Sequence, residues 1–187
     1  MPVKVALSGD SCKIGRKSLI KAGVKIWPGK EISENVTLHT SLVWGKKSTR
    51  RLFGQEGIKG IANVEITPDF AGRVAAAYAT LFKGGSTLLF SSSEDPFAAL
   101  IKEAFILGAR AAGLDTVDIG ETIPAVLRYS IQEMKASGGI HVRIWDRENH
   151  GEILYLLIEF LDASGLPIDR GIERKIENAF FQEDYQN

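Results

Sequence analysis

The sequence has little of several features that mark specialised classes of protein. It contains one cysteine in 187 residues, Cys12, so no disulfide can form within the chain and a reducing cytoplasmic setting is expected. The first residues, Met1–Val5, lack the basic and apolar regions of a secretory signal peptide. No apolar run approaches the roughly 20 residues of a membrane-spanning helix. We therefore expect a cytoplasmic protein in which Cys12 is a small packed residue.

Net charge is also absent. The chain has 23 basic and 23 acidic residues, and its formal net charge at pH 7 is zero. The short basic runs Lys46–Lys47 and Arg50–Arg51 do not change that balance, so neither nucleic acid nor an anionic membrane is expected as a partner. The hydrophobic fraction of 44% and the charged fraction of 25% are those of a globular protein. The length predicts one domain with a small appendage.

A branched aliphatic residue recurs at every sixth position near the N-terminus, at Ile14, Ile20, Ile26, Ile32 and Leu38. A period of six fits neither a lone helix nor a flat strand, and it predicts a left-handed hexapeptide β-helix over residues 1–44. Such repeats need stacked neighbours, and five or six of them make fewer than two coils. We therefore expect the stack to continue outside this chain or to be capped by a partner, as in a fragment or a separated module.

The remainder of the chain alternates strand and helix patterns after a polar linker at residues 45–52. Short apolar runs predict strands at residues 87–90, 116–119, 139–145 and 153–161. Helical spacing and capping residues predict helices from Thr67 to about Phe82, from Pro96, from Ile123 to Lys135 and from Pro167. Residues 53–187 are thus predicted to form an α/β domain. Its mixed, mostly parallel sheet is layered with helices and has an antiparallel hairpin near its end.

The stretch Phe53–Gly60 is a candidate ligand loop. Three glycines in eight residues predict a tight turn with backbone N–H groups free to approach a ligand. Gln55, Glu56 and Lys59 lie between these glycines and supply an amide, a carboxylate and an ammonium group, which suit a polyhydroxylated or anionic ligand. Glycines also occur in ordinary turns, so a packing role is the alternative.

Several motifs in this region match a known family. Residues 53–60 are Phe-Gly-Gln-Glu-Gly-Ile-Lys-Gly, residues 112–120 are Ala-Gly-Leu-Asp-Thr-Val-Asp-Ile-Gly, and residues 165–168 are Gly-Leu-Pro-Ile. They resemble domain I of the α-D-phosphohexomutases, the phosphoglucomutase and phosphomannomutase family, whose first loop is Phe-Gly-Thr-Asp-Gly-Ile-Arg-Gly. The resemblance covers residues 53–187 and implies the fold of that domain.

The N-terminal segment carries a second resemblance. Val24–Lys30 and Leu42–Gly45 resemble the hexapeptide β-helix of sugar-nucleotide pyrophosphorylases. Together with the mutase-like domain they resemble the C-terminal part of a fusion protein, the mannose-1-phosphate guanylyltransferase type. The resemblance implies self-association or a nucleotidyltransferase domain or subunit as partner, and a sugar phosphate as ligand. The nucleotidyltransferase domain itself is not in this chain.

The family's phosphoryl-carrying serine has no counterpart here. In the family it lies in a loop, Thr-Ala-Ser-His-Asn-Pro, after the strand that matches residues 139–142. The residues of this chain at that place are Arg143, Ile144, Trp145 and Asp146. Between Ser137 and Ser164 there is no Ser, Thr or Cys, so no catalytic residue is predicted. The resemblance implies Mg²⁺ only for catalytic relatives, so no cofactor or metal is expected in this chain.

The phosphate-binding residues of the family are altered as well. Its turn Gly-Arg-Asp-Thr-Arg corresponds to Ser91–Asp95, which has no arginine. In the glycine loop the family's Asp is Glu56 and its Arg is Lys59. Lysine keeps the positive charge but lacks the planar fork that holds phosphate through two hydrogen bonds. Ser91–Ser93 either donate to an anion or, as the alternative, cap the following helix.

Other polar and aromatic residues leave alternatives open. His150 with Asp146 is either an acid–base pair, a weak metal site or a solvated turn. His141 is expected on the surface of the sheet, and His39 lies in the repeat segment, where hexapeptide acyltransferases keep a catalytic histidine. Trp145 either stacks on a sugar or a partner, or fills space as an apolar plug.

These observations favour a non-catalytic structural or regulatory module of sugar-nucleotide metabolism of the GDP-mannose type, as the resemblance implies. One alternative is a sugar-phosphate sensor that binds its ligand through Gln55, Glu56, Lys59 and Arg143. The other is the C-terminal part of a sugar-1-phosphate nucleotidyltransferase.

Overall fold

The chain divides into two compact units, Met1–Arg50 and Arg51–Asn187. The computed structural model describes residues 51–148 and 153–182 of the second unit, and in the first unit it describes Arg16 and six strands of two residues each. None of the helices in these described parts is long and apolar enough to cross a lipid bilayer.

Six short strands occur at regular intervals in the first unit. They are β1 (Leu7–Ser8), β2 (Lys13–Ile14), β3 (Leu19–Ile20), β4 (Lys25–Ile26), β5 (Glu31–Ile32) and β6 (Thr37–Leu38). All three pairings are parallel and join β1 to β4, β2 to β5 and β3 to β6. Strands β1, β2 and β3 therefore each pair with the strand three six-residue repeats further along the chain.

The described residues of the second unit form a five-stranded sheet and four helices. In chain order they are β7 (Ile58–Ile61), α1 (Pro68–Ala79), β8 (Thr87–Ser92), α2 (Pro96–Ala111), β9 (Asp115–Glu121), α3 (Pro124–Glu133), β10 (Gly138–Glu148), β11 (Ile153–Asp162) and α4 (Arg170–Gln182). The strand order in the sheet is β7-β11-β10-β8-β9. Strand β8 is parallel to β9 and β10, whereas β11 is antiparallel to β10 and β7. The mixed α/β sheet is confirmed: β7, β8, β9 and β10 run in the same direction, and β11 runs against them and forms both antiparallel pairs.

Helix α1 begins as its sequence predicts. The Thr67 hydroxyl accepts a hydrogen bond from the Phe70 N–H at 3.2 Å, and Pro68 occupies the first turn. The helix ends at Ala79, three residues before the predicted end at Phe82. The Phe82 N–H donates to the Ala79 carbonyl at 3.0 Å in a tighter turn, so the apolar pattern continues past the last helical residue.

Helix α2 buries a face that the apolar pattern does not wholly predict. Ile101 and Phe105 are fully buried as expected, but Leu100 is 45% exposed and Lys102 is buried. The Lys102 ammonium donates to both oxygens of Asp118 on β9 at 2.8 Å. The lysine stem packs against the sheet while its charge is neutralised by the neighbouring strand, which allows a basic residue at an inner position.

The two faces of the sheet are covered by different helices. Successive residues of a strand point to opposite faces. A Cβ atom added to Gly138 would lie 2.9 Å from the Tyr78 hydroxyl of α1, whereas one added to Gly139 would lie 2.9 Å from Ile131 Cδ1 of α3. Helix α3 therefore covers the face of β10 opposite to α1. The buried cluster on the α3 side consists of Leu89, Leu127, Ile131, Ala136 and Leu161.

Candidate functional site at the ends of β8 and β10

The glycine segment is partly a strand and not an open loop. Ile58–Ile61 form β7, which pairs antiparallel with the Tyr155–Ile158 part of β11. Ile58 is fully buried. The prediction of a free loop is wrong for these residues, because pairing with the outer edge of β11 and burial of Ile58 outweigh the low strand propensity of glycine.

The turn before β7 is held by close backbone contacts. The Gly54 N–H donates to the Gly57 carbonyl at 2.8 Å. Gly57 has φ +135°, and a Cβ atom there would lie 2.1 Å from the Ile158 carbonyl oxygen. The Leu52 and Phe53 N–H groups donate to Glu177 of α4 at 2.7 and 3.1 Å. Gly57 therefore has a packing role, and these three backbone donors are already used within the protein.

Two of the predicted ligand-binding residues lie together around a tryptophan. The Lys59 ammonium is 3.9 Å from the centroid of the Trp145 ring, and the Arg143 guanidinium carbon is 5.3 Å from it. Gln55 and Glu56 are exposed on the turn. Among the residues that the structure describes, no hydrogen bond or ion pair joins either of them to this group. The structure thus brings Lys59 and Arg143 together but not the full predicted set.

Trp145 occupies a bulge in β10. Ile144 pairs with Leu156 and Asp146 pairs with Tyr155, so Trp145 has no partner in the ladder. A bulge redirects the side chain of the unpaired residue and bends the strand. Trp145 is 38% exposed, so both interpretations, a stacking surface and an apolar plug, stay predictions. The exposed part of the residue is an apolar surface with two cations beside it.

The three serines at the end of β8 do not cap α2. The Asp95 carboxylate does so, because its Oδ1 accepts hydrogen bonds from the Phe97 and Ala98 N–H groups at 2.8 and 3.1 Å. Its Oδ2 accepts a hydrogen bond from Arg147 at 2.8 Å. Ser93 Oγ faces the Ile144 N–H of β10 at 3.4 Å. Asp95 directly precedes Pro96, the first residue of α2, so it occupies the N-cap position and the serines lie too early in the chain to cap the helix.

His141 is the functional candidate that sequence reasoning misplaced. It was expected on the surface but is fully buried, and its Nδ1 lies 2.8 Å from Ser91 Oγ. Burial is the main cause, and the positive charges of Arg143 and Arg128 contribute, so that together they lower the pKa of His141 to about 4. The imidazole is therefore neutral at pH 7. Strand alternation correctly predicts that His141 points to the other face of the sheet from Ile140 and Val142. The sequence does not show that helix α3 covers this face and makes it an interior one.

The remaining polar candidates form no site in the described residues. Asp146 is exposed, and its Oδ1 accepts a hydrogen bond from the adjacent Arg147 N–H at 2.8 Å. His150, His39 and Cys12 lie outside the described residues, so the predictions for them stay predictions. Within residues 51–148 and 153–182, no group of three or more His, Cys, Asp or Glu side chains is arranged to hold a metal ion.

Comparison with known proteins assigns the second unit to a family. Residues 50–187 match the family model of the phosphoglucomutase/phosphomannomutase α/β/α domain I. The chain belongs to this family. The resemblance of the glycine loop and of the later motifs to domain I is confirmed. The link to guanylyltransferase fusions is not tested by this match and stays a prediction.

The relatives are considerably longer than this chain. A phosphoglucomutase/phosphomannomutase of Thermococcus kodakarensis is 31% identical over 139 residues, which cover 72% of this chain and 30% of the relative. A phosphoglucosamine mutase of Dictyoglomus turgidum is 26% identical over 137 residues, again 72% of this chain and 30% of the relative. The chain thus spans about a third of the length of these curated relatives.

Solved structures show the same relationship. A crystal structure assigned to the phosphomannomutases, from Thermus thermophilus, superposes with a TM-score of 0.61 at 27% identity and covers 70% of this chain and 30% of that one. The phosphoglucomutase parafusin of Paramecium gives a TM-score of 0.57 at 14% identity, over 73% of this chain and 26% of that one. The latter likeness shows the fold alone.

The segment in which the resemblance predicts the serine loop is a strand in the structure. Strand β10 runs from Gly138 to Glu148 and pairs with β11 along that whole length, apart from the bulge at Trp145. Residues 138–163 contain no Ser, Thr or Cys. A hydroxyl or thiol nucleophile is therefore lacking from the segment in which the resemblance expects the phosphoserine.

Proposed function

We propose that this chain is a non-catalytic structural or regulatory module of sugar-nucleotide metabolism of the GDP-mannose type, acting in the cytoplasm. One observation carries the proposal: the segment expected to hold the phosphoserine is the strand β10, without any Ser, Thr or Cys. Phosphoryl transfer by this family's chemistry requires a hydroxyl that can be phosphorylated and presented to a sugar.

The nearest hydroxyl groups do not replace the missing serine. Ser91 Oγ lies 2.8 Å from His141 Nδ1, the distance of a nucleophile from its base, but both residues are fully buried and no sugar can reach them. Ser93 Oγ faces the Ile144 N–H and lies beside the Asp95 cap of α2. Both hydroxyls have roles in holding the ends of β8 and β10 together.

The test is phosphorylation of the protein itself. The purified chain is incubated with a hexose 1,6-bisphosphate and Mg²⁺, and its mass is measured alongside mutase turnover of glucose, mannose and glucosamine phosphates. We expect neither a mass increase of one phosphoryl group nor turnover. The Thermococcus kodakarensis relative serves as the positive control. Stoichiometric phosphorylation of this chain would reject the proposal.

A sugar-phosphate sensor is the second candidate, and the group around Trp145 favours it. An exposed aromatic face packs against the C–H face of a sugar, and a nearby cation attracts its phosphate. Lys59 and Arg143 lie 3.9 and 5.3 Å from the ring centroid. Gln55 and Glu56 complete the proposed set by hydrogen bonding to sugar hydroxyls from the adjacent turn.

Calorimetric titration with mannose 1-phosphate, glucose 1-phosphate and GDP-mannose tests the sensor. A sensor binds one of them with a Kd on the order of micromolar, and Lys59→Ala weakens it about tenfold or more. Lys83→Ala, at an exposed lysine in the turn after α1, is the matched control and leaves the Kd unchanged. Absence of heat with all three ligands, in protein shown to be folded, would exclude the sensor and leave assembly as the function.

Assembly is proposed to involve the N-terminal unit. We infer that residues 1–44 form a left-handed hexapeptide β-helix, which is supported by the six-residue period and by three parallel strand pairs, each joining strands three repeats apart. Its partner is a second copy or a nucleotidyltransferase domain or subunit. Sedimentation of the chain alone and with a mannose-1-phosphate guanylyltransferase tests this, and a monomer under both conditions argues against it.

The last alternative is that a longer polypeptide is the enzyme. The nucleotidyltransferase domain that the resemblance implies would then be encoded upstream of Met1, in the same reading frame. Finding a strand, a glycine-rich loop and a helix there would identify the enzyme and make this chain its non-catalytic end. A stop codon directly upstream would favour the separate module.

A further inference from the structure

Two buried nitrogen atoms between β10 and α3 have no hydrogen-bond partner among the residues that the structure describes. They are His141 Nε2 and Arg128 Nε. His141 is fully buried, so bulk solvent does not reach its ring. Buried polar atoms in folded proteins are paired in the great majority of instances, with protein, water or an ion. Two unpaired nitrogens on facing elements therefore point to a ligand that accepts hydrogen bonds.

The topology places the two residues opposite each other. Helix α3 is the crossover between β9 and β10, which both run parallel to β8, so it runs antiparallel to them. A Cβ atom on Gly139 would lie 2.9 Å from Ile131 Cδ1. Arg128 precedes Ile131 by about one turn, roughly 4.5 Å along the helix. His141 lies two residues beyond Gly139, roughly 6.6 Å along the strand in the same direction.

The bond to Ser91 decides which ring nitrogen of His141 carries hydrogen. Ser91 Oγ lies 2.8 Å from His141 Nδ1, and Ser91 is fully buried. If Nδ1 carried the proton, the Ser91 hydroxyl hydrogen would have no acceptor among the described residues. Ser91 therefore donates to Nδ1, and the ring proton is on Nε2. Both unpaired nitrogens, in His141 and in Arg128, are then N–H donors.

The charges near these donors leave a positive balance. Arg143 donates to Glu159 at 3.0 Å, so the charges of that pair cancel. Arg128 forms no ion pair with any described residue. Burial is the main cause of the lowered pKa of His141, and the charges of Arg143 and Arg128 add to it, which agrees with Arg128 lying close to the ring. An acceptor with a negative charge satisfies both donors and the Arg128 charge together.

We propose that Arg128 Nε and His141 Nε2 bind one small inorganic anion, such as chloride, between β10 and α3. The enclosure of His141 favours a small anion. A water molecule fits less well, since its own two hydrogens would need further acceptors. The site is distinct from the exposed group around Trp145 and does not depend on the proposed sensor function.

Thermal unfolding of the full chain tests the proposal. Sodium gluconate, whose anion is too large for the site, is exchanged for chloride or for inorganic phosphate at constant ionic strength. Chloride or phosphate at a hundredfold excess over its Kd should raise the Tm of the wild type by roughly 5–10 °C. Arg128→Gln should abolish the rise, whereas Lys83→Gln, at an exposed lysine, and Lys59→Ala should keep it. General salt effects on stability are shared by all four proteins and cancel in the comparison.

A measurement on the wild type alone guards against misfolding of the Arg128→Gln protein. Nitrogen-15 NMR of the His141 ring should show hydrogen on Nε2 and a shift of that nitrogen when chloride replaces gluconate. A ring proton on Nδ1 would overturn the proposal. Tm values that change equally in the wild type and in Arg128→Gln would also overturn it, because the anion would then not act through Arg128.

Discussion

The two faces of strand β10 differ in what they contribute to the protein. Ile140 and Val142 point to the face beneath α1 and α2 and are buried among apolar residues. His141 and Arg143 point to the α3 face and bond to Ser91 and Glu159 on the neighbouring strands. Because side chains alternate along a strand, one segment supplies both the apolar core and a polar interior. Stability should therefore depend on one face and pH response on the other.

The largest effect is expected on the apolar face. The Phe160 ring lies 5.1 Å from that of Phe53, 5.3 Å from Tyr78 and 6.0 Å from Phe105, with centroids as reference, and Phe160 is 2% exposed. Phe160→Ala removes the centre of this group and should lower the free energy of unfolding by about 3–5 kcal/mol. Urea unfolding measures the change, and Leu166→Ala, at a side chain 59% exposed, should change it by less than about 0.5 kcal/mol.

The second effect concerns the turn that leads into β7. Gly57→Ala places a methyl group 2.1 Å from the Ile158 carbonyl oxygen at a φ of +135°, and it should cost about 2–4 kcal/mol through strain and displacement of β11. Gly54→Ala is the matched control, since its nearest contact would be an ordinary 3.4 Å. Equal denaturation midpoints for the two variants would contradict the packing role of Gly57.

The polar face should respond to pH. The pKa of His141 is about 4 in the folded protein and 6.5 when unfolded, so between these values the unfolded chain takes up a proton that the folded one refuses. The contribution of neutral His141 to the free energy of unfolding is complete above pH 6.5 and is lost as pH falls toward 4. About 2–3 kcal/mol of stability should disappear between pH 7 and pH 4.5, beyond the loss measured for His141→Gln. Parallel pH profiles of the two proteins would show that His141 does not titrate in this way.

The smallest effect separates the two capping interpretations at the start of α2. Asp95→Ala removes two hydrogen bonds to backbone N–H groups and the contact with Arg147, and should cost about 1–2 kcal/mol. Ser93→Ala removes a single long hydrogen bond of 3.4 Å and should cost less than about 0.5 kcal/mol. The reverse order in thermal unfolding would restore the serines as the cap.

Local signals in the sequence predicted where helices and strands begin and end better than they predicted which residues are buried or paired. Thr67 and Pro68 marked the start of α1, and the polar turn before Ile153 marked the antiparallel hairpin, because both depend on neighbours in the chain. Strand β7 was missed, since its glycines have low strand propensity and only the edge of β11 stabilises it. The exposure of Leu100 was missed because helical spacing gives a period but not the direction of the covering sheet.

The candidate site was predictable only in part for a related reason. The glycine loop pointed to Lys59, and the altered serine loop pointed to Arg143 and Trp145, all from the sequence. The Lys59 ammonium lies 3.9 Å from the centroid of the Trp145 ring because β7 and β10 both flank β11. The burial of His141 had no signal in the sequence, because a histidine in an alternating strand is equally compatible with a solvated face.

The sequence by itself determined the family and the absence of Ser, Thr and Cys from residues 138–163. Both follow from which residues are present, whatever the fold. The tertiary structure alone decided which polar groups are enclosed. His141 of β10 and Arg128 of α3 are 13 positions apart in the chain, and the charge of Arg128 nevertheless acts on the His141 ring. Burial and hydrogen-bond pairing arise from such long-range packing. Burial lowers the pKa of His141, and the packing leaves His141 Nε2 and Arg128 Nε without a hydrogen-bond partner among the described residues.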